Sequence, residues 1–385
     1  MDEIAKHEGA PPSRLFSWLK IIAAAVIVYF FLSGVNMMGS GLKLIGKEHA
    51  DFIEGIFSYA ENPLVGLFVG ILITSIFQSS SFTTSFTVGL VAAGQLSLHN
   101  AIPIIMGANI GTSVTNALVS FGHIRRKDEF QRAFAGAIVH DNFNLLSVIL
   151  FFPIEIMFHP LEHGARYLSA FFASGNVTAT KPTNWLKEII RPFVGGVKSL
   201  LVDVLDLGPT AAGTILGILG VVLLFLSLFY LVKILRSLVL AKAERFFGKY
   251  LFRNAVTAYA VGVLLTVSVQ SSSVTTSLVV PLIGAGLLTL PQIFPYVLGA
   301  NLGTTVTALL ASFAAASQSQ ETAQFGLAVA MAHLMFNIGG TCVFWPLKAI
   351  PIGMANWLAS LCRRSRKWPV LWVVGILYIL PTLAI

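Results

Sequence analysis

Polar and apolar positions along the chain alternate on the scale of whole segments. Apolar stretches near the ~20 residues that cross a bilayer run from 21 to 38, 211 to 232, 327 to 347 and 369 to 385. Each predicts a spanning helix. Two others, 64 to 77 and 255 to 269, hold 14 and 15 residues, too short to span comfortably at ~1.5 Å of rise per residue. Each is followed by a hydroxyl-rich run, Gln78-Ser79-Ser80-Ser81 or Gln270-Ser271-Ser272-Ser273, and then, after one apolar residue, by Thr, Thr and Ser. An unpaired polar group in hydrocarbon costs several kcal/mol, so these runs face protein or water. They predict hairpins or broken helices that turn within the membrane, with free backbone N–H groups at their tips.

Composition agrees with an all-α membrane protein. Of 385 residues 56% are hydrophobic and 11% charged, against ~25% charged in soluble domains. The formal charge of +8 does not argue for nucleic acid, because Lys and Arg sit in short segments between apolar runs, as the positive-inside pattern requires. Cys342 and Cys362 are too few for a disulfide framework and form no metal-ligand pattern. The first apolar run follows Lys6, Arg14 and Lys20 but has no small-residue cleavage pattern, so it is read as a mature helix.

The chain repeats itself at an offset of 192: Gln78 to Ser81 returns as Gln270 to Ser273, Gly70 as Gly262, Thr83-Thr84-Ser85 as Thr275-Thr276-Ser277, and Gly107 to Thr112 as Gly299 to Thr304. With one residue inserted, His140 and Asn144 match His333 and Asn337. Charge in matching segments predicts opposite orientations. Arg125, Arg126, Lys127 and Arg132 follow the first GAN motif, whereas 314 to 321 has no basic residue; later, 155 to 166 is acidic while 348 to 367 carries Lys348, Arg363, Arg364, Arg366 and Lys367. The predicted organisation is a cytoplasmic N-terminus at 1–20, a first inverted repeat at 21–158 and an external linker at 159–210. A second inverted repeat at 211–350 precedes a basic loop and terminal membrane helix at 351–385. Residues 21 to 45 and 213 to 240 are expected to belong to a scaffold around a core of re-entrant hairpins, and Gly70 and Gly262 to be close helix contacts.

Residue type narrows the chemistry. Hydroxyl and amide donors duplicated without Arg or Lys, including Ser79 to Ser81, Thr83 and Ser271 to Ser273, suit a small desolvated oxyanion held by neutral hydrogen bonds. A compensating hard cation such as sodium is then expected, with Asn109, Thr112, Thr115, Asn301, Thr304 and Thr307 as oxygen ligands. Asp141, an acid within a spanning helix, is a functional candidate. Its repeat partner is Leu334, so it predicts a cation site in one half only. His140 and His333 are expected as structural hydrogen bonders.

The two QSSS motifs, Ala101 to Asn116, and Arg132 to Ala137 running into His140-Asp141 resemble the type II sodium-dependent phosphate cotransporters over nearly the whole chain. The resemblance implies a multi-pass plasma membrane symporter that takes up inorganic phosphate with sodium, needs no cofactor and forms a homodimer. By position it makes Ser79 to Ser81 and Ser271 to Ser273 phosphate ligands. Gln78, Gln270, Asn144, Thr304 and Thr307 become sodium ligands, with Asn337 as the repeat counterpart of Asn144. Ala135, Ala137 and Asp141 reproduce the pattern of electrogenic members; by charge balance, net positive movement with divalent phosphate needs at least three sodium ions. The large cysteine-bridged external loop of animal members has no counterpart, which looks prokaryotic, and neither has the family's final spanning helix. Two alternatives stand beside this reading: a sodium-independent channel or exporter, and an intramembrane serine hydrolase with His140 as base.

Overall fold

The computed structural model describes residues 14–46, 62–174, 184–250, 254–316, 320–365 and 367–385. Residues 1–13 of the expected cytoplasmic segment, 175–183 of the expected external linker, and 317–319 lie outside the described residues. The chain is an all-α membrane protein: the described residues contain no strand, and seven stretches among them are long and apolar enough to cross a membrane.

The first half contains α1 (Arg14–Gly46), α2 (Pro63–Phe77), α3 (Ser80–Ala92), α4 (Leu98–Gly111), α5 (Val114–Ser120) and α6 (Lys127–Phe158), followed by α7 (Pro160–Ser174) and α8 (Asn184–Ser199). The second half contains α9 (Pro209–Tyr250), α10 (Ala255–Val269), α11 (Ser272–Ser277), α12 (Val280–Gly284), α13 (Leu290–Gly303), α14 (Thr305–Ala316) and α15 (Gln320–Phe344). After it come α16 (Ala349–Arg364), α17 (Lys367–Val374) and α18 (Leu380–Ala384).

The same local devices start and stop helices in both halves. Asn62 caps α2 by accepting from Leu64 N at 3.0 Å, and Asn254 caps α10 by accepting from Thr257 N at 2.8 Å. Asparagine at this position satisfies a donor that the helix itself cannot. Ser97 caps α4, and Thr289 forms a capping box with Gln292 at the start of α13. Gly94 and Gly286 take φ values of 76° and 77° in the turns before these helices, a conformation open to glycine at little cost.

Close backbone approach holds each hairpin to the helix after it. A β-carbon on Gly107 would strike the carbonyl oxygen of Leu67, and one on Gly299 that of Tyr259. Gly70 and Gly262 face the carbonyls of Ile104 and Tyr296 in the same way. Inside a bilayer, where apolar burial does not drive helices together, small residues gain packing contacts instead. Around the hairpins, α1 lies along α9, with Gly41 against the backbone of Gly213 and Gly217. Their outward residues Ile22, Val26, Ile218 and Phe229 are exposed, as a lipid-facing perimeter requires. The two halves also interlock: α3 packs on α14, and α11 packs on α5.

The start of 351–385, expected as a basic loop before the terminal helix, belongs instead to a helix, α16, packed on α6. Within the expected linker 159–210, residues 160–174 and 184–199 are helical. Counting charges located these segments but could not show that Ala355, Leu358 and Ala359 recur on one buried face.

Gly107→Ala and Gly299→Ala should each destabilise the protein by about 1–3 kcal/mol through overpacking against backbone. Gly353→Ala, with nothing within 4 Å of the added carbon, should be neutral or stabilising. Thermal unfolding in detergent measures all three, and equal melting for the three variants contradicts the packing account.

Candidate functional site

Each short helix ends on a glutamine in the left-handed region, Gln78 at φ 54°, ψ 30° and Gln270 at φ 59°, ψ 27°. This conformation costs a residue with a β-carbon about 1–2 kcal/mol. The side chains offset that cost locally. Gln78 Nε2 donates to Ser75 O at 2.5 Å and Gln270 Nε2 to Val267 O at 2.7 Å, satisfying carbonyls that a helix end leaves open. The amide oxygens then accept from hydroxyls of α5 and α14, Thr115 Oγ1 at 3.2 Å and Thr307 Oγ1 at 2.9 Å.

The next residue restarts the helix. Ser79 and Ser271 are extended N-caps whose Oγ atoms accept from Phe82 N at 3.1 Å and Val274 N at 3.3 Å. Their hydroxyl hydrogens stay available to donate. The N–H groups of Ser80 and Ser81 at the start of α3, and of Ser272 and Ser273 at the start of α11, have no carbonyl to reach within their own helices. At α3 the helix dipole adds partial positive charge. Thr83 plays a different part, because its hydroxyl is 2.7 Å from Thr74 Oγ1 and 3.3 Å from Ser79 O. It closes the hairpin internally.

The halves meet at Ser81. Its Oγ lies 3.4 Å from Gln270 O and 3.3 Å from Thr307 Oγ1, so with Gln270 Oε1, which Thr307 also reaches, four oxygens from both halves gather there. A second crossing joins Asn116 Nδ2 to Thr276 Oγ1 at 2.8 Å. No described hydrogen bond of this network is donated by Lys or Arg.

The GAN segments form a neighbouring cluster. The Asn144 side chain donates to Asn109 O at 3.0 Å, and that of Asn337 donates to Asn301 O at 3.3 Å. Asn301 Nδ2 donates to Asn337 Oδ1 at 2.9 Å, and His140 Nε2 donates to Asn301 Oδ1 at 3.0 Å. Thr112 Oγ1 and Thr304 Oγ1 turn back to the carbonyls of Ala108 and Asn301, at 3.1 and 2.5 Å. Asn144 Oδ1 is buried without a partner, an open acceptor suited to a hard cation.

Asp141 borders the second cluster, with its Oδ1 4.0 Å from His140 Nδ1. With Ser113, Asn142, Trp372 and Ile376 it lines a cavity of about 10 Å³, near the smallest volume that holds one water. Its Oδ1 and both amide atoms of Asn142 have no partner.

The two tips are unequally covered. Gln270 is 7% exposed, whereas Gln78 is open apart from Tyr378, whose hydroxyl donates to Ser75 O at 2.9 Å and lies 3.4 Å from Gln78 Nε2. Sequence reasoning did not single out Asn116, Ser113, Asn142 or Tyr378. The first three are polar residues in or beside segments already flagged, which is a usable signal. Tyr378 belongs to the unrepeated terminal helix and had none.

A family model described as Na+/Pi-cotransporter matches residues 30–159 and 223–355. Sodium-dependent phosphate transport protein 2B of Pongo abelii is 30% identical over 94% of this chain and 64% of its own length. The 2A proteins of Ovis aries and Rattus norvegicus are 33% and 32% identical over 95% of this chain and 67% of theirs. The chain thus spans just under two thirds of the first of these relatives. No solved structure matches it. The family and these names denote transporters rather than enzymes.

Thr307→Val strips the donor from buried Gln270 Oε1 and should cost about 1–3 kcal/mol. Thr115→Val, at the exposed tip, should cost clearly less because water replaces the lost donor. Unfolding in detergent compares them; a larger loss for Thr115→Val contradicts the assigned asymmetry.

Proposed function

The chain belongs to the Na+/Pi-cotransporter family, and from that premise we propose that it couples inward sodium movement to uptake of inorganic phosphate across the plasma membrane, with its N-terminus cytoplasmic. The observation that carries this reading is the closure of Ser81 on Gln270 O and Thr307 Oγ1 across the two halves. Hydroxyls and free N–H groups from both QSSS turns can replace the water around a tetrahedral oxyanion. The carbonyl and amide oxygens beside them accept but cannot donate, so they favour a hard cation. Phosphate and sodium are cargo, and each makes the other's desolvation less costly.

Opposite orientation of the two halves supplies the movement. The Gln270 turn is covered and the Gln78 turn open, as in one of two related states. The alternate state closes Ser273 on Gln78 and Thr115 and opens the Gln270 side. Asp141, in one half only, provides a further cation position and makes transport of divalent phosphate electrogenic. A hydrolase reading lacks its base, because His140 Nε2 faces Asn301 Oδ1 and sits beside Asn144 Nδ2 rather than a hairpin serine.

Ser81→Ala and Ser272→Ala should each lower sodium-dependent phosphate uptake into proteoliposomes by about tenfold or more, the effect of losing ~1.4 kcal/mol, while folded protein is retained. Uptake that needs no sodium gradient, or normal uptake by both variants, defeats the proposal. Asp141→Gly should keep phosphate uptake but abolish the phosphate-evoked current; an unchanged current removes Asp141 from charge coupling.

A further inference from the structure

Away from these clusters, three side chains with metal-ligating atoms converge where the first half joins α7. His99 lies in the first turn of α4, His159 ends α6, and Glu162 opens α7. Each offers one ligand atom such that all three lie within 4.8 Å of one another. His99 Nδ1 is 3.0 Å from Glu162 Oε2, and the rings of His99 and His159 are 4.9 Å apart. We propose that His99, His159 and Glu162 form a binding site for one divalent transition-metal ion, with zinc the best match.

The surroundings prepare the three residues. Glu155 accepts from Leu161 N at 2.7 Å and Glu162 N at 3.0 Å, fixing the first turn of α7 and with it the origin of the Glu162 side chain. Arg166 takes Glu162 Oε1 in a fork, at 2.8 and 3.1 Å, which orients the carboxylate and leaves Oε2 toward His99. Burial opposes ionisation of Glu162, but hydrogen bonds from Arg166 and His99 outweigh it and hold the carboxyl below its usual range. His159 Nδ1 is buried without a partner, and the residue sits at φ 51°, in the left-handed region more often given to Gly or Asn.

Two imidazoles and a carboxylate with a fourth position left for water is the donor set of open zinc sites. Nitrogen donors favour zinc, nickel or copper over magnesium and calcium, which prefer oxygen cages. The corresponding positions of the second half are Pro291, Ile352 and Ala355, so this chemistry is not part of the duplicated machinery. A bound ion would tie the start of α4 to the α6–α7 joint by coordination, where one hydrogen bond now does so.

The test is zinc binding to EDTA-stripped, full-length protein in detergent, followed by chelator competition and by melting temperature. Expected are one zinc per chain, no competition by millimolar magnesium or calcium, and a zinc-dependent rise in melting temperature. His99→Gln and Glu162→Gln should weaken binding about tenfold or more and abolish that rise. His99→Cys, which restores a zinc ligand, should recover both and separates ligation from folding. Absence of saturable zinc binding, zinc retained equally by His99→Gln, or failure of a folded His99→Cys to recover binding overturns the proposal.

Discussion

A helix end in a membrane protein exposes backbone groups that lipid cannot satisfy, and the rest of this structure depends on how Gln78 and Gln270 meet that constraint. Each turns the chain by taking a left-handed backbone and covers a carbonyl of the helix it ends with its own amide nitrogen. Each then presents its amide oxygen to a threonine 37 residues further on. One side chain therefore terminates a helix and links a hairpin to its broken partner helix, and at Gln270 it also places polar oxygens in the protein interior. The polar centre follows from the fold's solution to a backbone problem.

Glycine contacts make that arrangement rigid enough to be specific. The hairpin helices approach α4 and α13 so closely that their carbonyls occupy the space a β-carbon would fill. Polar side chains beyond the tips are thereby held within hydrogen-bond distance of the opposite half, as Ser81 is with Thr307 and Asn116 with Thr276. Slack of even one ångström would break contacts whose useful range is a few tenths of an ångström.

Much of this was legible because duplication repeats the evidence. The short apolar segments, the Gln-Ser turns and the GAN breaks all stand at one offset, and the structure places helix ends at both Gln-Ser turns. The caps Asn62, Asn254, Ser97 and Thr289 obey the same offset and could have been read from it, with Pro63 at the first helical position as a further sign. What the sequence did not disclose is partner choice. Thr83 and Ser81 look equivalent in a hydroxyl run, yet helical geometry turns Thr83 back to Thr74 and Ser81 across to Thr307. Tyr378 falls outside the repeat, so no second copy marked it.

Asp141 is the point at which the duplicated frame departs from symmetry, and its placement bears on the proposed coupling. Two unit charges 4 Å apart interact by about 4 kcal/mol at the effective dielectric of a protein surface, so a carboxylate among the QSSS turns would repel the anion proposed for them. Asp141 instead lines a cavity with Ser113, Asn142 and the terminal helix, on the same helix as Asn144 but outside the tip network. Under the proposed coupling, a carboxylate there would attract a cation without facing the oxyanion at contact distance. A second carboxylate at Leu334 would add charge that the neutral donors cannot balance, and the duplicated frame carries its acid in one copy only.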